Sequence, residues 1–168
     1  MSQTTSSGST PAYWETVTSL NTQTAEERLR QAREVARIHE APAANEHVNN
    51  HVHTSFSFSP YSPTAAVWAA REAGLTTVGI VDHDSVSGAA EFRRAGEIFG
   101  MATTAGFEMR VSMAESRLGP RRYNSPDMEG SAYIVCHGLP HTEIDAAEEL
   151  LGPIRSAREA RNRRMVAR

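Results

Sequence analysis

The chain has 168 residues, 39% hydrophobic, 22% charged and 7% aromatic, with a formal net charge of -3. That is room for one domain with a core, or one domain plus an appendage; the composition excludes a fibre, and the charge gives no overall pull toward nucleic acid. All 17 basic residues are arginine, which reads first as a compositional bias of the genome. No run of the ~20 residues a membrane span needs is predominantly apolar, and the N-terminus lacks the basic-then-apolar order of a secretion signal. A single cysteine, Cys136, allows no internal disulfide, so a cytoplasmic protein in a reducing compartment is expected.

Residues 1–11 are rich in Ser, Thr and Gly without an apolar period and predict a disordered lead, irregular up to residue 22. Thr24 with Glu27 three residues on makes a capping box, and Leu29, Val35 and Ile38 recur near helical spacing, predicting a helical preface within residues 23–45. From residue 46 short β-like runs alternate with helical runs. The first ends at His53; then Ser62 caps a helix with Pro63 at its first position and Gly74 closing it. Residues 76–81 form a continuous apolar run of the kind buried on both faces, stopping at Asp82-His83-Asp84. A helix over 87–99 ends at Gly100, and a third strand, 101–106, leads to Phe107-Glu108-Met109. After a polar loop, 116–127, a fourth strand over 131–136 carries Cys136 as a small buried hydrophobe and ends at His137; two helices follow, over 142–151 and 153–165.

Each β-like run is followed at once by metal-capable side chains: His51 and His53, then Asp82, His83 and Asp84, then Glu108, then His137. In a parallel α/β barrel the strand C-termini gather at one mouth, so these residues become neighbours. Strand alternation puts His51 and His53 on one face, and imidazole with carboxylate suits Zn, Mn or Fe. Taken singly, each has an ordinary reading: a solvated strand face, a loop histidine, a strand-end charge, a satisfied core histidine. Four such coincidences at four successive strand ends are what favour a metal site. His39 and His47 fit no such pattern and read as structural or exposed.

The stretches NNHVHTSFSFSPYSP, TTVGIVDHDSVSGAAEF, AGFEMRV and YIVCHGLPH, in this order, resemble the first four motifs of the PHP (polymerase and histidinol phosphatase) domain family over residues 47–141. The resemblance implies an α/β fold, a distorted (β/α)7 TIM-like barrel of which about four parallel strands with flanking helices are present, and metal-dependent hydrolysis of phosphate esters. It implies that His51 and His53 hold a first metal, that Glu108 bridges it to a second bound by His137, and that His83 serves a third, with Asp82 as a partner behind the ligands. A pair of divalent ions would generate hydroxide from a shared water near neutral pH. The phosphoryl group calls for arginine: Arg110, on the strand face of Glu108 and so counted with it as catalytic, then Arg121 and Arg122; Arg117 reads as a surface residue. The substrate expected is a small phosphorylated metabolite or nucleotide.

The sequence departs from that pattern in three places. Asn49-Asn50 stands where the family places an aspartate, and Phe58 or Ser59 where it places a third-metal ligand, so a centre of two metals is expected. Nothing between Gly138 and Arg168 supplies the family's later histidine and Asp-x-His pair, and His141 is too close to His137 to serve. Four strands leave a barrel unclosed, so residues 46–168 read as the N-terminal portion of a longer enzyme. The alternative is a catalytically inactive fragment acting as an interaction or structural module, self-associating through the open edge. The arginines of the last helix read as a solvated barrel face rather than a nucleic-acid patch.

Overall fold

The computed structural model describes residues 12–22 and 24–167. Within the stretch expected to be irregular, helix α1 runs Tyr13–Ser19; it forms because Glu15 accepts a hydrogen bond from the Ala12 N–H and Val17 and Leu20 are buried beneath it. The expected disorder of residues 1–11 lies outside the described residues. Helix α2 (Ala25–Ile38) starts at the Thr24–Glu27 capping box and buries Leu29, Ala32 and Val35, whereas Ile38 stays half exposed. Strand β1 (Asn49–Val52) leads through a turn to α3 (Pro63–Glu72). The Ser62 side chain accepts from the Ala65 N–H and its hydroxyl donates to the Leu20 carbonyl, joining α1 to α3 while capping the helix. Ser62→Ala is therefore expected to cost about 1–2 kcal/mol, seen as a lower urea midpoint with an unchanged m-value.

Strand β2 (Thr77–His83) is buried along nearly its whole length, as its apolar run requires, and α4 (Ala89–Phe99) follows. Gly100 ends α4 in the left-handed region at φ +69°, where a side chain would be strained. Strand β3 (Ala102–Ser112) runs six residues past the expected end, and β4 spans Ser131–Cys136. The sheet order is β1-β2-β3-β4. β1 and β3 both pair parallel to β2, but β4 pairs antiparallel to β3, from Phe107↔Cys136 to Ser112↔Ser131. This corrects the expectation of four parallel strands. A parallel return needs a crossover, usually a helix, and the polar loop after β3 has no helix to offer, so the chain turns back as a long hairpin. At its end Cys136 comes so close to Gly106 that a Cβ there would collide with the Cys136 carbonyl.

The two helices expected after β4 are one, α5 (Ile144–Val166), entered through a 3₁₀ turn at His141–Glu143 and containing Pro153. Proline removes one helical hydrogen bond, but Leu151 and Ile154 on either side pack against the cluster of Val86 and Phe107 and hold the helix through it. Cys136 lies at the margin of this cluster and is half-buried, not buried. The larger core joins Leu29, Trp68, Val78, Ile80, Phe92 and Phe99, with α3 and α4 against the sheet and α2 packed on both of them. No helix among the described residues is long and apolar enough to cross a membrane.

Candidate metal centre

β2 and β3 run in strict register, which sets His83 directly opposite Glu108. β1 ends beside them, so His51 on the strand and His53 just beyond it reach the same point. Three imidazoles converge on one carboxylate oxygen: Nε2 of His51, His53 and His83 lie 3.1, 3.6 and 3.6 Å from Glu108 Oε2. The His53 and His83 rings stack, 4.9 Å apart at 11°, and the His51 ring stands 5.1 Å from His53. His137, at the end of β4, places its ring 6.2 Å from His51. It arrives there although β4 runs opposite to the direction expected, because the hairpin brings its C-terminal end back level with Phe107.

Asp82 points to the other face of β2, is 1% exposed, and ties down the His51–His53 segment. It accepts the Thr54 N–H at 2.6 Å, the Thr54 hydroxyl at 2.5 Å and the Ser57 hydroxyl at 2.6 Å. Ser57 in turn lies 3.4 Å from His53 Nδ1. Since the Ser57 proton is given to Asp82, its oxygen can only accept, which favours the Nδ1–H tautomer of His53 and leaves the Nε2 lone pair toward Glu108. Burial, partly offset by the Glu108 carboxylate, holds His83 below the ordinary imidazole pKa, so it too presents a neutral ring, the form that binds metal.

These donors fit a divalent ion. At 3.6 Å the His53 and His83 nitrogens are beyond hydrogen-bond range of Glu108, and the buried Nδ1 of His83 has no hydrogen-bond partner. Ligand atoms about 2.1 Å from a common ion stand roughly 3.0–3.4 Å from each other, close to the spacings found here. His51, His53 and Glu108 each offer a ligand atom within 4.8 Å of the others.

The expected phosphate-binding arginines are placed differently from one another. Arg110 is exposed, donates to the Tyr133 hydroxyl at 2.7 Å and lies over its ring. Arg122 pairs with exposed Glu129 in the hairpin, and Arg121 contributes its carbonyl to Gly130 there. Tyr133, whose ring meets His83 at 5.2 Å, escaped the sequence reading, as did Thr54 and Ser57; Phe58, named there as occupying the place of a third-metal ligand, sets its ring 4.8 Å from that of His83. Tyr133 is recognisable only from the hairpin register that sets it opposite Arg110. Thr54 and Ser57 carry a faint signal, hydroxyls directly after a histidine pair.

An α/β sheet whose strand ends gather imidazoles around a carboxylate defines the class: part of a TIM-like barrel with a candidate centre for divalent metal. The chain belongs to the PHP domain family, whose sequence model matches residues 49–157. It is also similar to a solved structure, a presumed metal-dependent phosphoesterase from Bifidobacterium adolescentis. The likeness has 26% identity and a TM-score of 0.53, over 76% of this chain and 39% of that one. The chain thus spans well under half the length of that relative. No protein with a curated description matches it.

Proposed function

We propose that the chain provides the metal-binding wall of a metal-dependent phosphoesterase acting on a small phosphorylated metabolite or nucleotide. The observation that carries this reading is the convergence of three imidazole nitrogens on one oxygen of Glu108, within a chain of the PHP family. His51, His53 and Glu108 would hold one ion, of Zn, Mn or Fe by ligand type, with Glu108 shared toward a second ion near His137. His83 reaches the same Glu108 oxygen as the other two imidazoles, so it is assigned to this centre rather than to a separate third site. Divalent ions held there would acidify a bound water and polarise the phosphoryl group. The protein's part is orientation. Asp82, through Thr54 and Ser57, fixes the direction of the His53 ring, and Arg110, braced on Tyr133, extends from the strand face of Glu108 toward solvent, where phosphoryl oxygens would arrive.

Protein purified without chelator is expected to carry at least one equivalent of a transition metal by elemental analysis and to hydrolyse an aryl phosphate in the presence of Mn. A preparation that holds no metal, and takes none up on titration, would refute the assignment.

A further inference from the structure

The arginines of α5 do not all face solvent. Arg158 forms an ion pair with the Asp84 carboxylate, and Arg155 donates to the Asp84 carbonyl at 3.2 Å while pairing with Glu148. Asp84 follows His83 in sequence, and its N–H donates to the Glu108 carbonyl at 2.8 Å, so this contact sits against the candidate centre. Asp84 is an unusual anchor. It is 2% exposed, takes a left-handed backbone at φ +53°, and buries one carboxylate oxygen, Oδ1, without a partner. A carboxylate receiving one good ion pair is thus held beside the histidines with half its accepting capacity unused.

Arg158 is in a complementary position. Guanidinium carries five N–H donors in a planar fork. Among the described residues its side chain makes this one ion pair, and it is 29% exposed, which leaves donors for a ligand approaching from solvent. Resting on the proposed phosphoesterase reading, we infer that Arg158 is a substrate-phosphate residue, parked on Asp84 and able to present the rest of its fork to phosphate oxygens at the mouth. The fork matches phosphate geometry bidentately. The Asp84 pairing keeps the long side chain in place beforehand, lowering the entropy lost when phosphate binds.

The test is inorganic phosphate binding by calorimetry on the metal-loaded protein, with metal content and circular dichroism recorded for each variant. Arg158→Gln is expected to weaken phosphate at least tenfold, while Arg163→Gln, on the same helix and paired with exposed Glu159, leaves it unchanged. Asp84→Asn separates a ligand from a mere latch. Asparagine tolerates the left-handed backbone and releases Arg158 from its counter-charge, so phosphate should bind as tightly or more tightly. Equal weakening by Arg158→Gln and Asp84→Asn would make the pair a structural latch and overturn the inference. So would an Arg158→Gln protein with wild-type affinity, or a wild type that binds no phosphate. Wild type that carries metal and hydrolyses aryl phosphate, but whose phosphate affinity ignores Arg158, would keep the phosphoesterase reading and lose this one; wild type without metal would lose the phosphoesterase reading itself.

Discussion

Glu108→Ala is expected to abolish stoichiometric metal binding while leaving the metal-free protein folded. Glu108 is the carboxylate to which His51, His53 and His83 all turn, so its loss removes the anionic ligand that offsets the charge of a divalent ion. Removing partners behind a metal's ligands typically weakens binding 10–100-fold; removing a shared anionic ligand should exceed that. Melting with and without Mn reads the difference. A ligand at about 100 times its Kd stabilises the folded state by about 2.7 kcal/mol, roughly 5–11 °C for a chain of this size. Wild type should show such a shift and Glu108→Ala none. Asp82→Ala should fall between them, since it frees Thr54 and Ser57 and disorients His53 without removing a ligand. An undiminished shift in Glu108→Ala would place the metal elsewhere.

Much of this arrangement was legible because local chemistry and tertiary structure agree. The Thr24–Glu27 box, the Ser62-Pro63 start of α3 and the Gly100 stop of α4 are each set by backbone requirements that a few residues meet on their own. The apolar run of β2 announces a central strand. The histidine pair and Glu108 stand at strand ends, and register does the rest. What was not legible depends on partners far away in sequence. β4 is antiparallel because of how the loop 113–130 folds, although the missing crossover helix was a clue. Pro153 reads locally as a break, yet α5 continues because Leu151, Ile154 and Arg155 are held by distant residues. The contact of Arg158 with Asp84 has no signature in the sequence, and the same helix read as a solvated face. Arg110 shares the strand face of Glu108, as alternation requires, but its partner Tyr133 emerged only with the hairpin.

Arg28→Met is expected to destabilise the fold far more than any surface change, by about 3–5 kcal/mol. Arg28 grips Glu91 through Nε at 2.8 Å and Nη2 at 2.6 Å, with side chains 12% and 6% exposed. Glu91 also accepts the Thr64 N–H and hydroxyl, so one carboxylate of α4 fastens α2 and the first turn of α3. Without Arg28 that charge is buried with Thr64 alone, among the described residues, to compensate it. Burial alone would raise the Glu91 pKa, but Arg28 and Thr64 outweigh it and hold the carboxyl below its usual 4.5. A depressed folded-state pKa means that the unfolded chain takes up the proton first as pH falls. The stabilisation is therefore complete above pH ~4.5 and declines as pH drops from there through the folded-state value. Urea denaturation at pH 7 and at several points below 4.5 should show wild type losing stability on acidification, with a shallower loss in Glu91→Gln. Arg28→Met combined with Glu91→Gln should recover most of the stability at pH 7, because the amide removes the buried charge while its oxygen still accepts from Thr64. If the double variant is as unstable as Arg28→Met, the helices are held by the geometry of the pair itself, and the charge argument is wrong.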